Sequence, residues 1–418
     1  MAERLDAVVI GAGFCGLGVG AALRAAGVHR FAILEQGAGV GHFWTTTYDR
    51  LHLHSAWHDM PHDGGLRRSY PTFLARDQIV DYFRRYADLH RLAPHLRFGR
   101  RVSRVKRIDG ASDGFEWEVD GSPERILARH VAVATAVNRV PKIPTLPGRA
   151  DFRGRILHSA EYRNSKPFAG RRVLVVGSGN SAAEIALDLS EGGARDVALW
   201  VRGPRHFIPI RRVAVLFWLA RRLGFFDEKR TAAAHGITWG TREFDEAIEA
   251  RDRIARLLSA DLSRFGIRMP ERGPMAETFH KGRIATFDQG TIRRIRSGAI
   301  RVIDGNVRRL DGFTGEGVRL GDQVVPLDDV ILATGFEPRL EEFIADPELL
   351  GPALQWERYP LTDGRCRSRI HPSIFFPGFD RTPLGGHSLG RWGWEVGQRI
   401  AAEVDRFAAR SSRERSAA

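Results

Sequence analysis

The chain has 418 residues, enough for two or three domains, and 43% of them are hydrophobic, as in an ordinary globular protein. Its formal net charge of +14 raises the question of nucleic acid as a partner, but only five of the 64 basic residues are lysine and the arginines run along the whole length. No block of like charge stands apart as a tail, so nucleic acid is excluded, and the excess charge is read as an attraction for acidic small molecules.

In chain order, Ala7-Val8-Val9-Ile10 reads as a buried strand and leads into GAGFCG, Gly11 to Gly16. The first glycine permits a tight turn, the second lets backbone approach a pyrophosphate, and the third lets the helix pack on the strand. The helix start then offers free N–H groups to phosphate. Phe14 and Cys15 lie inside this turn. The short apolar stretch before it reads as a strand, not as a signal peptide. Phe31-Ala32-Ile33-Leu34 is the next strand and runs into Glu35. A carboxylate there accepts hydrogen bonds from ribose hydroxyls and repels a 2′-phosphate, which suits the adenosine of FAD or NAD.

A helix is expected near Arg76 to His90, where Ile79, Val80, Phe83 and Tyr86 recur at helical spacing. Residues 97 to 135 alternate in short strand-like runs that close on Val131-Ala132-Val133-Ala134, and a proline-rich link, Pro141 to Pro147, follows. A second unit starts near Arg171. Val173-Leu174-Val175-Val176 leads into GSGNSA, Gly177 to Ala182, in which Gly177, Gly179 and Ala182 fit the fingerprint variant with alanine third. Its next strand ends Val197-Ala198-Leu199-Trp200-Val201 and is followed by Arg202, whose forked guanidinium suits a 2′-phosphate. FAD is therefore assigned to the first fingerprint and NADPH to the second.

Val213 to Ala220, flanked by Arg211, Arg212, Arg221 and Arg222, reaches nowhere near the ~20 apolar residues of a membrane span. Contact with a membrane surface is the lesser reading. A helix over a substrate entrance or a subunit contact is the favoured one. An arginine-rich helical stretch occupies roughly 242 to 265. Ile331 to Phe336 reads as a buried strand ending in a tight turn, His371 to Phe379 holds the last strand, and Trp392 to Arg410 forms a closing helix. The expected fold is α/β with two Rossmann-like domains. An NADPH-binding domain, 165–330, is inserted in a discontinuous FAD-binding domain, 1–160 and 331–418. Cys15 and Cys366 form no CxxC or CxxxxC pair, which argues against a disulfide-relay reductase and fits a reducing, cytoplasmic setting.

Taken together, these residues resemble the flavin-containing (class B) monooxygenases, nearest to the plant-type indole-3-pyruvate monooxygenases and their bacterial relatives. GAGFCGL with Glu35 is similar to the family's FAD site, and Gly41 with Trp44 to its G-x-x-W turn. Tyr48-Asp49-Arg50-Leu51-His52-Leu53-His54 resembles the YDRLxLH segment, expected near the flavin ring. Phe152 to Tyr162 resembles the FxGxxxHxxxY signature through His158, GSGNSAAE through Glu184 the NADPH fingerprint, and Ala333-Thr334-Gly335-Phe336 the ATG[YF] turn. Two places depart from the pattern. Ala134-Thr135-Ala136 stands where the family has ATG, and alanine suits that place only if its dihedrals are not left-handed. Leu384 to Trp394 is bulkier than expected.

The resemblance implies cofactor contacts at Phe14, Cys15, Gln36, Trp44, His52, Val105, Ala134, Thr135, His158, Asn180, Ser181, Thr334 and Gly335, and catalytic roles for Asn138, Arg50 and His54. Arg50, His52 and His54 either tune the oxygen chemistry or support backbone beneath the ring. His158 is read as a hydrogen-bonding residue of the domain link rather than a general base. The implied activity is that of an NADPH-dependent flavin monooxygenase. It forms a flavin hydroperoxide from dioxygen and inserts one oxygen atom into a small organic substrate, a 2-oxo acid or other carbonyl, or a nitrogen or sulfur nucleophile. The competing readings are an NADPH oxidase or flavin reductase that releases hydrogen peroxide and, more remotely, a non-catalytic redox sensor. No metal is expected: His52, His54, His58 and His62 cluster, but they overlap the flavin-contact segment.

Overall fold

The computed structural model describes residues 2–54, 60–110, 114–121, 124–222, 241–351, 359–379 and 389–417. The chain divides into two compact units: Met1–Thr45, Trp57–Val140 and Glu337–Ala418 form the first, and Thr46–Ala56 with Pro141–Phe336 the second.

The first unit opens with β1 (Glu3–Ile10), α1 (Phe14–Ala25), β2 (Phe31–Leu34), the single-turn α2 (His42–Thr45) and α3 (Arg76–Leu89). β3 (Leu96–Arg97), β4 (Arg104–Arg107), β5 (Trp117–Gly121) and the long β6 (Glu124–Val133) follow. The sheet order is β3-β2-β1-β6-β5-β4. β1 pairs in parallel with β2 and β6, whereas β5 is antiparallel to β4 and β6. β2 is apolar along its length, and β1 and β6 become so at Ala7–Ile10 and Val131–Val133, where both faces are covered. α3 shows its apolar stripe as read: Ile79, Val80, Tyr82, Phe83 and Tyr86 are buried and the residues between them are not.

The second unit holds β7 (Arg155–His158), β8 (Arg172–Val176), α4 (Asn180–Glu191), β9 (Asp196–Val201), β10 (Phe207–Pro209), α5 (Ile210–Arg222), α6 (Arg242–Leu258), α7 (Pro274–Lys281), β11 (Thr286–Asp288) and β12 (Arg301–Asp304). A three-stranded meander, β13 (Leu310–Thr314), β14 (Gly317–Leu320) and β15 (Gln323–Pro326), precedes β16 (Asp329–Leu332). The main sheet, β12-β9-β8-β16-β7, is parallel throughout. β7 and the segment 46–56 thus belong to this unit, although the sequence pattern had assigned both to the first. β7 carries its register with β16, Arg155 opposite Asp329 through His158 opposite Leu332.

The chain then returns to the first unit, where β17 (Ile374–Phe375) adds in parallel to β6 and α8 (Leu389–Ala417) packs along α1. α1 is buried from Phe14 through Leu23, so it needs a neighbour on its outer side as well as the sheet. α8 fills that place at backbone distance. A Cβ on Gly18 would lie 2.6 Å from Gly390 O, one on Gly393 2.1 Å from Cys15 O, and one on Gly397 2.5 Å from Val19 O. The helix begins three residues ahead of the expected Trp392 and runs on past the expected Arg410. Leu384 to Ser388 of the atypical segment lie outside the described residues. Within the described part, Trp392 is buried and the Trp394 ring sits 4.3 Å from that of His62.

Two candidate nucleotide cradles

In the first unit, Gly11 has φ 103° and a Cβ there would meet Ala134 O at 2.7 Å, while one on Gly16 would meet Gly11 O at 1.8 Å. Over Gly13 there is nothing within 4 Å. The loop is closed where strand and helix meet and open where a pyrophosphate would lie. Glu35 is fixed beside it: Oε2 accepts from the Ala12 N–H at 3.0 Å and Oε1 from the Gly37 N–H at 2.8 Å. Each oxygen keeps a lone pair for a ribose hydroxyl. Thr135 Oγ1, beside Gly11, is buried with no hydrogen-bond partner among the described residues. An open cradle, a held carboxylate and an orphaned hydroxyl fit a dinucleotide.

The flanking residues brace this loop. The Gly41 N–H donates to Ala12 O and the Trp44 N–H to Gly41 O, both at 2.9 Å, so the G-x-x-W turn folds back on the fingerprint. Phe14 packs edge-on against Phe83 at 4.5 Å and Trp44 at 6.4 Å. Cys15 donates its thiol to Leu389 O at 3.2 Å, and burial pushes the thiol up to about 12, so it stays protonated. Gln36 is exposed beyond Glu35, and Asn138 presents an exposed side chain past the end of β6. Val105 is committed to the fold. Its side chain is fully buried in the core, its N–H donates to Phe343 O at 2.7 Å, and its carbonyl accepts from Ala345 at 2.9 Å, which leaves one carbonyl lone pair for any further contact. Ala136 has φ 62°, inside the left-handed region the family fills with glycine.

In the second unit, Gly177 has φ 139° and a Cβ there would meet Ala333 O at 2.4 Å, while Gly179 again has nothing within 4 Å. This loop is also open where phosphate would lie. Asn180 spends its amide on the fold: Oδ1 accepts from the Phe287 N–H at 2.7 Å and Nδ2 donates to Ala285 O at 3.2 Å. Ser181 follows it, half-buried in the first turn of α4, and Arg202 is exposed just past β9. Thr334 Oγ1 donates to Lys142 O at 2.5 Å, and Gly335 takes φ 89°. His158 Nε2 donates to Gly335 O at 3.0 Å and Nδ1 accepts from the Ala160 N–H at 3.1 Å. Both ring nitrogens are committed and burial pushes the pKa down, which makes this ring a neutral staple.

The segment 47–54 is fastened to α4 and the β7 turn of the same unit. The Asp49 N–H donates to Arg163 O at 2.9 Å and Arg50 pairs with Glu191 at 2.5 Å. Tyr48 donates its hydroxyl to Glu184 Oε2 at 2.6 Å, and Gln289 donates to Oε1 at 2.7 Å. His54 Nε2 stands 3.8 Å from Glu184 Oε1, its Nδ1 is buried without a partner among the described residues, and its ring stacks on Phe287. Burial pushes Glu184 up to about 8 and His54 down to about 4. At neutral pH the carboxyl is protonated and the imidazole neutral, so the two do not form an ion pair. Arg50 is a fastener of the segment, and His52 turns Nδ1 back onto Arg50 O at 2.8 Å.

Sequence reasoning missed Gln289 and Arg205, whose partners lie 105 and 27 residues away. No local pattern in the sequence marked either residue. His58 lies outside the described residues. Among the described residues no group of three or more His, Cys, Asp or Glu side chains could hold a metal, and no helix is long and apolar enough to cross a membrane.

A mixed sheet and a parallel sheet, each with a glycine-rich cradle at its parallel strands, define the class: the fold is that of the two-domain flavin monooxygenases. A flavin-containing monooxygenase from Stenotrophomonas maltophilia superposes with a TM-score of 0.64 at 22% identity, over 96% of this chain and 99% of its own. Residues 53–208 match the family described as flavin-binding monooxygenase-like. The indole-3-pyruvate monooxygenase YUCCA1 of Oryza sativa subsp. japonica is 33% identical over 81% of this chain and 79% of its own. YUCCA8 of Oryza sativa subsp. indica is 31% identical over 95% and 93%. The chain belongs to the class B flavin monooxygenase family and is an oxidoreductase.

Proposed function

We propose that this enzyme is an NADPH-dependent monooxygenase of 2-oxo acids, with FAD in the first unit and NADPH in the second. The observation that carries the reading is the contrast between the cradles: Glu35 is held as an acceptor at one, and Arg202 stands exposed at the other. The 2-oxo acid class is supported by relatives named as indole-3-pyruvate monooxygenases. Bound FAD, reduced by NADPH, supplies the activation of dioxygen. The chain supplies placement. Gly11 and Gly13 admit one pyrophosphate, Gly177 and Gly179 the other, and Glu35 selects ribose hydroxyls over phosphate. Asn138 offers its free amide to whatever lies at the end of β6. His54 stays neutral at pH 7, so it adds no charge beside Glu184. Arg50 positions the His54 segment through Glu191.

The balanced reaction takes a 2-oxo acid, dioxygen, NADPH and a proton to the shortened carboxylic acid, carbon dioxide, water and NADP⁺. The test is to follow NADPH, oxygen and hydrogen peroxide together over a panel of aromatic and aliphatic 2-oxo acids, amines and thioethers, with mass spectrometry of products. Oxygen and NADPH consumed in equal amounts, with the shortened acid formed and little peroxide, is the expected result. Insertion into an amine or thioether alone would replace the substrate class. Peroxide equal to NADPH with every compound would make the enzyme an oxidase.

A further inference from the structure

The two cradles of this chain can be compared position by position. Gly11 N–H donates to Leu34 O, and Gly177 N–H donates to Trp200 O, so Leu34 and Trp200 hold equivalent places. The strand registers agree: Ile10 pairs with Leu34 and Val176 with Trp200. The counterpart of Glu35 is therefore Val201, which is buried, and Arg202 lies one residue further on. In the first cradle the ribose-reading carboxylate leans on Ala12, the residue after the first glycine. In the second, the residue after the first glycine is Ser178: Thr286 Oγ1 donates to its carbonyl at 2.5 Å, and the charged side chain that reaches it, through the hydroxyl and not the backbone N–H, is Arg205, with Nε 3.2 Å from Ser178 Oγ.

Arg205 is held in place. Its backbone N–H donates to Arg268 O at 3.0 Å and one guanidinium nitrogen donates to Ile284 O at 2.8 Å. It forms no ion pair among the described residues. The nearby acid, Glu277, is already approached by Lys281 at 3.0 Å and Arg283 at 3.6 Å. A partly buried cation without a carboxylate is costly unless an anion completes it. Burial pulls its pKa down to about 10, and the nearby Arg283 adds to that, yet the group keeps its charge at pH 7.

We propose that Arg205 is a second reader of the NADPH 2′-phosphate, placed on Ser178 where Glu35 is placed on Ala12 in the other cradle, and acting together with Arg202. The proposal rests on the assignment of NADPH to the second unit. Calorimetric titration of the FAD-loaded full chain with adenosine 2′,5′-bisphosphate and with AMP isolates the one phosphate in question. Wild type should bind the bisphosphate more tightly; equal affinities would overturn the NADPH assignment itself. Given that preference, Arg205→Gln should weaken the bisphosphate about tenfold or more and AMP by less than about threefold, as expected for loss of a charge-assisted contact. Equal weakening of both ligands, or of neither, would overturn the role of Arg205. An unchanged preference in Arg205→Gln beside its loss in Arg202→Gln would assign the reading to Arg202 alone. Should Arg205→Gln fail to fold, Arg205→Lys, which keeps charge but loses the fork, should retain AMP binding and lose part of the bisphosphate preference. Full retention of that preference would count against the proposal.

Discussion

Ala136 carries a conformation that glycine normally carries. Its φ of 62° costs an L-residue about 1–2 kcal/mol, and its side chain is exposed, so it gains no packing in return. The other turn of the pair has Gly335 at φ 89°. Ala136→Gly should raise stability by about 0.5–1 kcal/mol, after the extra chain entropy of glycine is subtracted. Thermal unfolding checks this, with an expected rise of about 1–2 °C. Glu184 makes a second prediction. Its folded pKa is raised from 4.5 to about 8, so the folded state holds a proton that the unfolded state releases, and stability falls as pH rises across that window. His54, lowered from 6.5 to about 4, works in the opposite direction, because the unfolded state binds the proton that the folded state refuses. The two should largely cancel between pH 4.5 and 6.5, leaving a decline from 6.5 to 8. Glu184→Gln, which can still accept from Tyr48, should abolish that decline in urea titrations at several pH values. A decline that persists would assign it to other groups. At this scale the sequence exposed the cradle glycines and Glu35, since a local turn dictates them. It did not expose the backbone partners of Val105, because what pairs with a strand's edge is set by a distant chain segment.

Among elements, the contact of α1 with α8 has the least tolerance. A Cβ at Gly393 would overlap backbone, 2.1 Å from Cys15 O, and backbone cannot turn aside as a side chain can. Gly393→Ala should cost about 1–3 kcal/mol and displace the start of α1. Bound flavin per mole of purified protein should fall, and normal flavin content at unchanged stability would show that the helices are free to separate. The strands of both sheets were legible from their apolar runs, and α3 from its spacing. The start of α8 was not, because its glycines carry no signal that distinguishes a contact from a break. The placement of 46–56 was not legible either. Tyr48, Arg50 and Asp49 find partners more than 100 residues on, at Glu184, Glu191 and Asn164, and no local pattern encodes such a match.

For the whole molecule, a net charge of +14 acts on an anionic cofactor before any contact forms. Raising ionic strength from about 0.01 M to 1 M shortens the screening length from ~30 Å to ~3 Å. The association rate of NADPH should therefore fall severalfold in stopped-flow binding, with that of the less charged NADH falling less. Equal losses would mean that the arginines are too dispersed to steer. The division into two units was readable in outline from the repeated fingerprint, but its boundaries were not, since 141–164 and 46–56 join the second unit through contacts and not through composition. The contact of α1 with α8 also sets an order of events during synthesis. α1 leaves the ribosome early, whereas the helix that forms its outer wall begins at Leu389. A chain stalled upstream of that residue has the phosphate turn but lacks the support behind it. Nascent chains should accordingly stay colourless until this helix has emerged.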